Sequence, residues 1–225
     1  LRVDTPIEKS LFIPLLSVLN ESELYTTWLP SWSLPRMGVR ACDKLCQTGR
    51  VSQVTALTID LPWPLQTREA IISAIGVDDI AELGEIVVRI KCIDDDGLVR
   101  PHEMAKEKNE VVRVDFEGGF VFRKCESTGG CNDVEGLYND ESEAENEEDL
   151  IMVSYQSKTD AKLSHIPESL LNFVLRNAVE MTWDNLLHVA EEVRDGARPL
   201  HAGKILDKHE VLYGWLEKRV DAMLA

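Results

Sequence analysis

The chain has 225 residues, enough for one large domain whose core needs no covalent staples. Its 44% hydrophobic and 28% charged residues are those of an ordinary globular protein, and no apolar run approaches the ~20 residues that span a bilayer. A net charge of -16 repels phosphate backbones, so the expectation is no nucleic-acid partner.

Five cysteines, Cys42, Cys46, Cys92, Cys125 and Cys131, form an odd and scattered set without Cys-x-x-Cys spacing. That pattern predicts reduced thiols rather than a disulfide framework or a zinc site. Much of the negative charge sits in one stretch, Asp133 to Leu150, which has almost no apolar content. It reads as a solvated, mobile acidic insertion over 126–149, without the Asp-x-Asp-x-Asp-Gly pattern of a calcium loop.

In chain order, Leu11, Leu15, Leu16, Val18 and Leu19 give the apolar face of a first helix, interrupted by Pro14. Asn20 and Glu23 are spaced as a capping box for a second short helix that ends at Trp28 and Pro30. Residues 34–50 read as connecting material. "RVSQVTALTID" mixes apolar residues on both faces and predicts a strand covered on both sides. Pro62 and Pro64 end it, because each lacks a donor and pushes its predecessor toward extended geometry. "TREAIISAIG" then predicts a helix, capped by Thr67, with Ile71, Ile72 and Ile75 inward and Gly76 as its stop.

"GEIVVRIKCID" alternates cleanly, with Ile86, Val88, Ile90 and Cys92 on one face, and "EVVRVDFEGG" does the same. Gly118-Gly119 reads as a turn before a further strand, "FVFRKC", and "DLIMVSYQSKTD" supplies another. From Pro167 a long helix follows. Glu168, Asn172, Arg176, Glu180, Asp184 and His188 form one polar stripe on it, and the remaining surface is wider in apolar residues than a single sheet contact needs. A last amphipathic helix spans Lys204 to Leu224, with Ile205, Leu212, Tyr213, Leu216, Val220 and Met223 inward. The plan is α+β: antiparallel strands with a long helix laid across a curved sheet.

Several of these segments together resemble the START domains, the lipid-transfer modules related to the steroidogenic acute regulatory protein. They are Trp63-Pro64 followed by Arg68-Glu69, the early helices ending in "TTWLP", "RVDFEGGFVF" as a central hairpin, and "VSYQSKTD" ahead of Ile166-Pro167, Leu170 or Leu171, and Asn172. The resemblance covers most of residues 2–190 and implies a helix-grip fold, with a START-like lipid-binding domain over 1–195 and a helical extension over 196–225. It departs from the family in having Glu69 in place of Asp, in the acidic insertion, and in lacking the family's first helix and strands before Leu1. The expected function is to hold one hydrophobic ligand, a sterol, phospholipid or sphingolipid, in an internal tunnel. The alternative is a non-transferring scaffold or ligand-sensing module. The resemblance also implies a cytoplasmic location, with transient membrane contact and a targeting segment expected before Leu1. A protein partner would use the acidic segment or the last helix.

The candidate ligand-binding residues are Trp63, Arg68, Val88, Ile90, Arg113, Phe120, Phe122, Asn172, Phe173 and Met181. A pocket of this class is apolar with a few placed polar groups, and an Arg paired with a carboxylate inside it would orient a head group. The five histidines show neither triad nor metal spacing, and no nucleophile elbow, P-loop or zinc-protease motif is present. The expectation is therefore no catalytic residue, no cofactor and no metal.

Overall fold

Thr5 and Ile7 alternate with Asp4 and Glu8, and this two-residue period makes an opening strand, β1 (Arg2–Glu8), ahead of the expected helix. The computed structural model describes residues 1–33, 36–61, 63, 65–93, 111–125, 150–160, 162 and 168–225. The acidic insertion, Pro62, Pro64, Ile166, Pro167 and the side chains of Leu170 and Phe173 lie outside the described set. Helix α1 (Lys9–Asn20) buries Leu11, Phe12, Leu15, Leu16 and Val18, with Pro14 in its interior. A 3-10 segment, Ser22–Thr27, follows. No side chain caps it, and Asn20 Nδ2 instead donates to Glu21 Oε1 at 2.9 Å.

The strands β2 (Ser31–Ser33), β3 (Arg36–Gly49), β4 (Ser52–Asp60) and β5 (Thr67–Asp79) then run as antiparallel neighbours. Two expectations fail here. The supposed connecting material is mostly β3, which pairs along β4 with three irregularities of register. The expected helix "TREAIISAIG" is β5. Its Thr, Ile and Val residues are β-branched, and it bonds to β4 on one edge and to the following strand on the other, a pairing that outweighs the helix-like spacing of the isoleucines.

A single turn, α2 (Ile80–Leu83), closed by Gly84 at φ 69°, leads into β6 (Glu85–Cys92). The short β7 (Val111–Arg113) pairs in parallel with β5, outside the main strand order. Next come β8 (Asp115–Lys124) and β9 (Leu150–Asp160). Gly118 and Gly119 do not turn the chain; β8 runs straight through them. A Cβ at Gly118 would overlap the Gln156 carbonyl oxygen, and one at Gly119 that of Val88, so the glycines serve close strand approach. The sheet order is β1-β9-β8-β6-β5-β4-β3-β2.

Helix α3 (Glu168–Arg194) is the long helix the sequence predicts, and Asn172, Arg176, Glu180, Asp184 and His188 are all exposed along it. Gly196, at φ 78°, ends it in the left-handed conformation glycine adopts freely. The predicted final helix is two helices, α4 (Pro199–Asp207) and α5 (Gly214–Leu224), joined by a π-helical turn, His209–Tyr213. Leu212, Tyr213, Leu216, Val220 and Met223 share one core with Phe12, Phe122 and Trp183. Cys42, Cys46 and Cys92 are free thiols, whereas Cys125, buried after β8, is disulfide-bonded, which corrects the expectation of reduced cysteines throughout.

Candidate ligand-binding site

Strand register decides which side chains share a face. Phe122 pairs with Ile86 and Val153, Phe120 with Val88 and Tyr155, and Gly118 with Ile90. From β6 the same face continues through Gly76, Ala74 and Ile72 of β5, and from β5 to Gln53, Thr55, Leu57 and Ile59 of β4. Ala70 and Arg68 lie on this face opposite Leu57 and Ile59. This is the inner face, because Trp183 of α3 stacks on Phe120 at 6.4 Å between ring centroids, and Phe12 of α1 meets Phe122 edge-on at 5.3 Å. The outer face carries a small second cluster, Val54 and Ile71 with Leu45 and Ile93, so β4 is covered on both sides as its sequence predicts.

The two ends of the inner face differ. Around Phe122 it is filled: Phe122, Val153 and Val189 are fully buried. Toward the start of β5, the apolar residues Leu57, Ile59, Ile72, Ile90 and Cys92 are only half-buried. Arg68 lies among them at 6% exposure. Its Nη1 donates to the Gln66 carbonyl oxygen at 2.7 Å, and burial pushes its pKa down.

The candidate residues are therefore scattered rather than convergent. Val88, Ile90 and Arg68 are on the inner face. Phe120 and Phe122 are on it too, but within the packed aromatic core. Arg113 is on the outer face and ion-pairs with Glu69, so the Arg68-Glu69 neighbours of the sequence point to opposite faces. Asn172 is exposed on the polar stripe of α3, and Met181 is 39% exposed. Trp63, at 93% exposure, stands in solvent on the connection between β4 and β5.

No protein-family model matches the sequence, and no curated protein does. Solved structures do. Human STARD10 superposes with a TM-score of 0.55 at 14% identity, over 85% of this chain and 63% of its own. Human StAR-related lipid transfer protein 5 gives 0.55 at 10% identity, over 85% of this chain and 75% of its own. A STAR-related lipid transfer protein from Xanthomonas axonopodis gives 0.54 at 18% identity, over 84% of both chains. The fold is that of the START domains. The present chain spans less than two thirds of STARD10.

On this START-like frame the C-terminal helices are tied to α1 by a buried polar cluster that no local pattern in the sequence announces. Glu21, 1% exposed, accepts from Lys208 Nζ at 2.6 and 2.8 Å and from the Tyr213 hydroxyl at 2.7 Å. Burial alone would raise the Glu21 carboxyl, but the hydrogen bonds from Lys208 and Tyr213 outweigh it and hold the pKa below the usual value. Burial and the Glu21 charge push the Tyr213 phenol up. Nearby, His201 Nδ1 lies 3.2 Å from Ser17 Oγ, and burial lowers the imidazole pKa. Burial also pushes the Cys42 thiol up to about 12, so it is no nucleophile.

A pocket of about 90 Å³, open to solvent past the exposed Val77 and Asp78, lies beside this cluster, between α1, β4–β6 and α5. Leu16, Val88, Leu212, Trp215 and Leu216 give it apolar walls, and Gln53 is among its few polar residues. Val88 is the one sequence candidate in this lining. Gln53 escaped the sequence reading because a lone polar residue in a strand carries no periodic signal.

Proposed function

We propose that a hollow lies between α3 and the inner face at the start of β5, and that this chain binds one lipid there and exchanges it at membrane surfaces. The observation carrying the reading is the change along that face, from fully buried aromatics to half-buried Leu57, Ile59, Ile72 and Ile90 around buried Arg68. An apolar wall with one placed cation is the chemistry of a pocket for an amphiphile. The likeness to proteins named for lipid transfer supports the reading. So does Trp63, whose indole is nearly fully exposed between two prolines of the sequence. An apolar ring with a polar N–H favours the membrane–water interface, and the charge of -16 favours neutral over anionic lipid.

The base of that Trp63 connection is braced. Arg40 ion-pairs with Asp60, and Thr67 Oγ1 donates to Asp60 Oδ1 at 3.2 Å, which fixes where β4 ends and β5 begins. No step of the proposal is enzymatic. The test is extraction of the purified protein followed by lipid mass spectrometry. One lipid class enriched near one-to-one, and lost in Ile72→Trp, which fills the hollow, supports the reading. No lipid, with none taken up from neutral vesicles, overturns it. That outcome favours a partner-binding module using Leu200, Leu206 and Val211, which are exposed on the C-terminal helices.

A further inference from the structure

We infer that the half-open pocket beside α5 is a second binding site, and that its ligand is a short-chain carboxylate, an alkyl tail carrying one anionic end. The inference rests on two arginines at the pocket. Arg219 of α5 lines it and is committed: it ion-pairs with Asp78, Nε to Oδ2 at 2.6 Å, and its Nη2 donates to Asp78 Oδ1 at 2.9 Å. Arg50 is not committed. Among the described residues its guanidinium makes no hydrogen bond and no ion pair, and it lies over the Trp215 ring, 5.4 Å from the centroid. Trp215 is itself a wall of the pocket, one helical turn before Arg219.

Backbone contacts, not a salt partner, hold Arg50 there. It shares the turn between β3 and β4 with Val51. Gln47 Nε2 donates across that turn to the carbonyl oxygens of Gly49 at 2.6 Å and Ser52 at 3.1 Å, and the Gly76 N–H donates to the Val51 carbonyl oxygen at 2.7 Å. A guanidinium lying over an aromatic face keeps its N–H donors for another partner, and a carboxylate is the acceptor that matches their fork. Arg50 also lines, with Lys208 and Val211, an adjoining recess that shares Asn20 and Leu212 with the pocket, so a head group has room at this end.

The other charges cancel. Lys208 is paired with Glu21 as Arg219 is with Asp78. One cation is left at the edge of a trough walled by Leu16, Val88, Leu212 and Leu216, which is the chemistry of an amphiphile site. At about 90 Å³ the trough is smaller than the ~150 Å³ cavity known to take benzene, so it suits a short unbranched tail. The overall charge of -16 opposes every anion, so a preference for one here has to be local. The site is distinct from the lipid hollow: it lies at the end of β5, and Arg68 at its start.

The experiment titrates the whole chain with pentanoate and with pentan-1-ol while following the Trp215 indole N–H by NMR, with Trp215→Phe assigning the signal. The tails are the same, and only the acid is charged. The expected result is a saturating shift with both, at a Kd about fivefold lower for pentanoate, the scale of a partly exposed ion pair. Arg50→Gln removes the charge from an exposed turn residue and levels the two probes, whereas Arg50→Lys keeps most of the preference. No shift with pentanoate, equal affinity for both probes, or a preference that survives Arg50→Gln overturns the inference.

Discussion

Glu21 is a carboxylate placed where water does not reach, and its environment is complete only while Lys208 and Tyr213 face it. Removing one member of such a set leaves the others buried without a partner. Glu21→Ala is therefore expected to cost about 3 kcal/mol, measured by urea denaturation, the order found when a buried pair is broken. The same neighbourhood sets the acid response. His201 has its pKa lowered by burial, with Glu21 opposing and Arg198 assisting. Between that lowered value and the ordinary 6.5, the unfolded chain binds a proton that the folded chain does not. Stability is thus full above pH 6.5 and falls as the pH drops below it. Glu21, also lowered, adds a second loss as the pH falls through its ordinary 4.5. Thermal melts from pH 8 down to 3 should show both steps, and His201→Gln should remove the upper one alone.

At the scale of elements, what the sequence predicted well was what a single local period determines. Alternation gave β6 and β9, and the four-residue polar stripe gave α3 with its exposed face correct at Asn172, Arg176, Glu180, Asp184 and His188. β5 was missed because Ile71, Ile72 and Ile75 suit a helix as well as a strand, and only its two flanking strands decide. Gly118-Gly119 was misread because a pair of glycines signals a turn, whereas here it answers backbone crowding from both neighbours, which no local pattern encodes. Gly119→Ala should therefore destabilise by roughly 1–3 kcal/mol, the range for overpacking a tight contact. In the site, Val88 and Ile90 were placed on the correct face by alternation. The filled position of Phe120 and Phe122 depends on Phe12 and Trp183, which come from distant parts of the chain. Trp63 shows the same division: the two prolines beside it predicted a break after β4, but not an indole left in solvent. Trp63→Ala should leave the melting temperature unchanged, and it should weaken binding to neutral vesicles by several-fold in a sedimentation assay.

Across the whole molecule, the boundary expected near residue 195 meets a core that does not respect it. Tyr213 is fully buried, and Leu212, Leu216, Val220 and Met223 pack with it into the same cluster as Phe12, Phe122 and Ile151. Polar ties run the same way: Lys9 to Asp221 at 2.9 Å, Lys204 to Glu23 at 3.1 Å, and Arg219 to Asp78. The exposed ion pairs among these contribute little. The burial is the larger effect: five side chains at about 2 kcal/mol each sum to roughly the whole stability of an ordinary domain. A chain ending at Gly196 is accordingly expected to lose its cooperative thermal transition and to bind a hydrophobic dye, because it uncovers Leu16, Ile86 and Val88. If instead it melts cooperatively within a few degrees of the full chain, the C-terminal helices are an appendage and the domain ends where the sequence placed it.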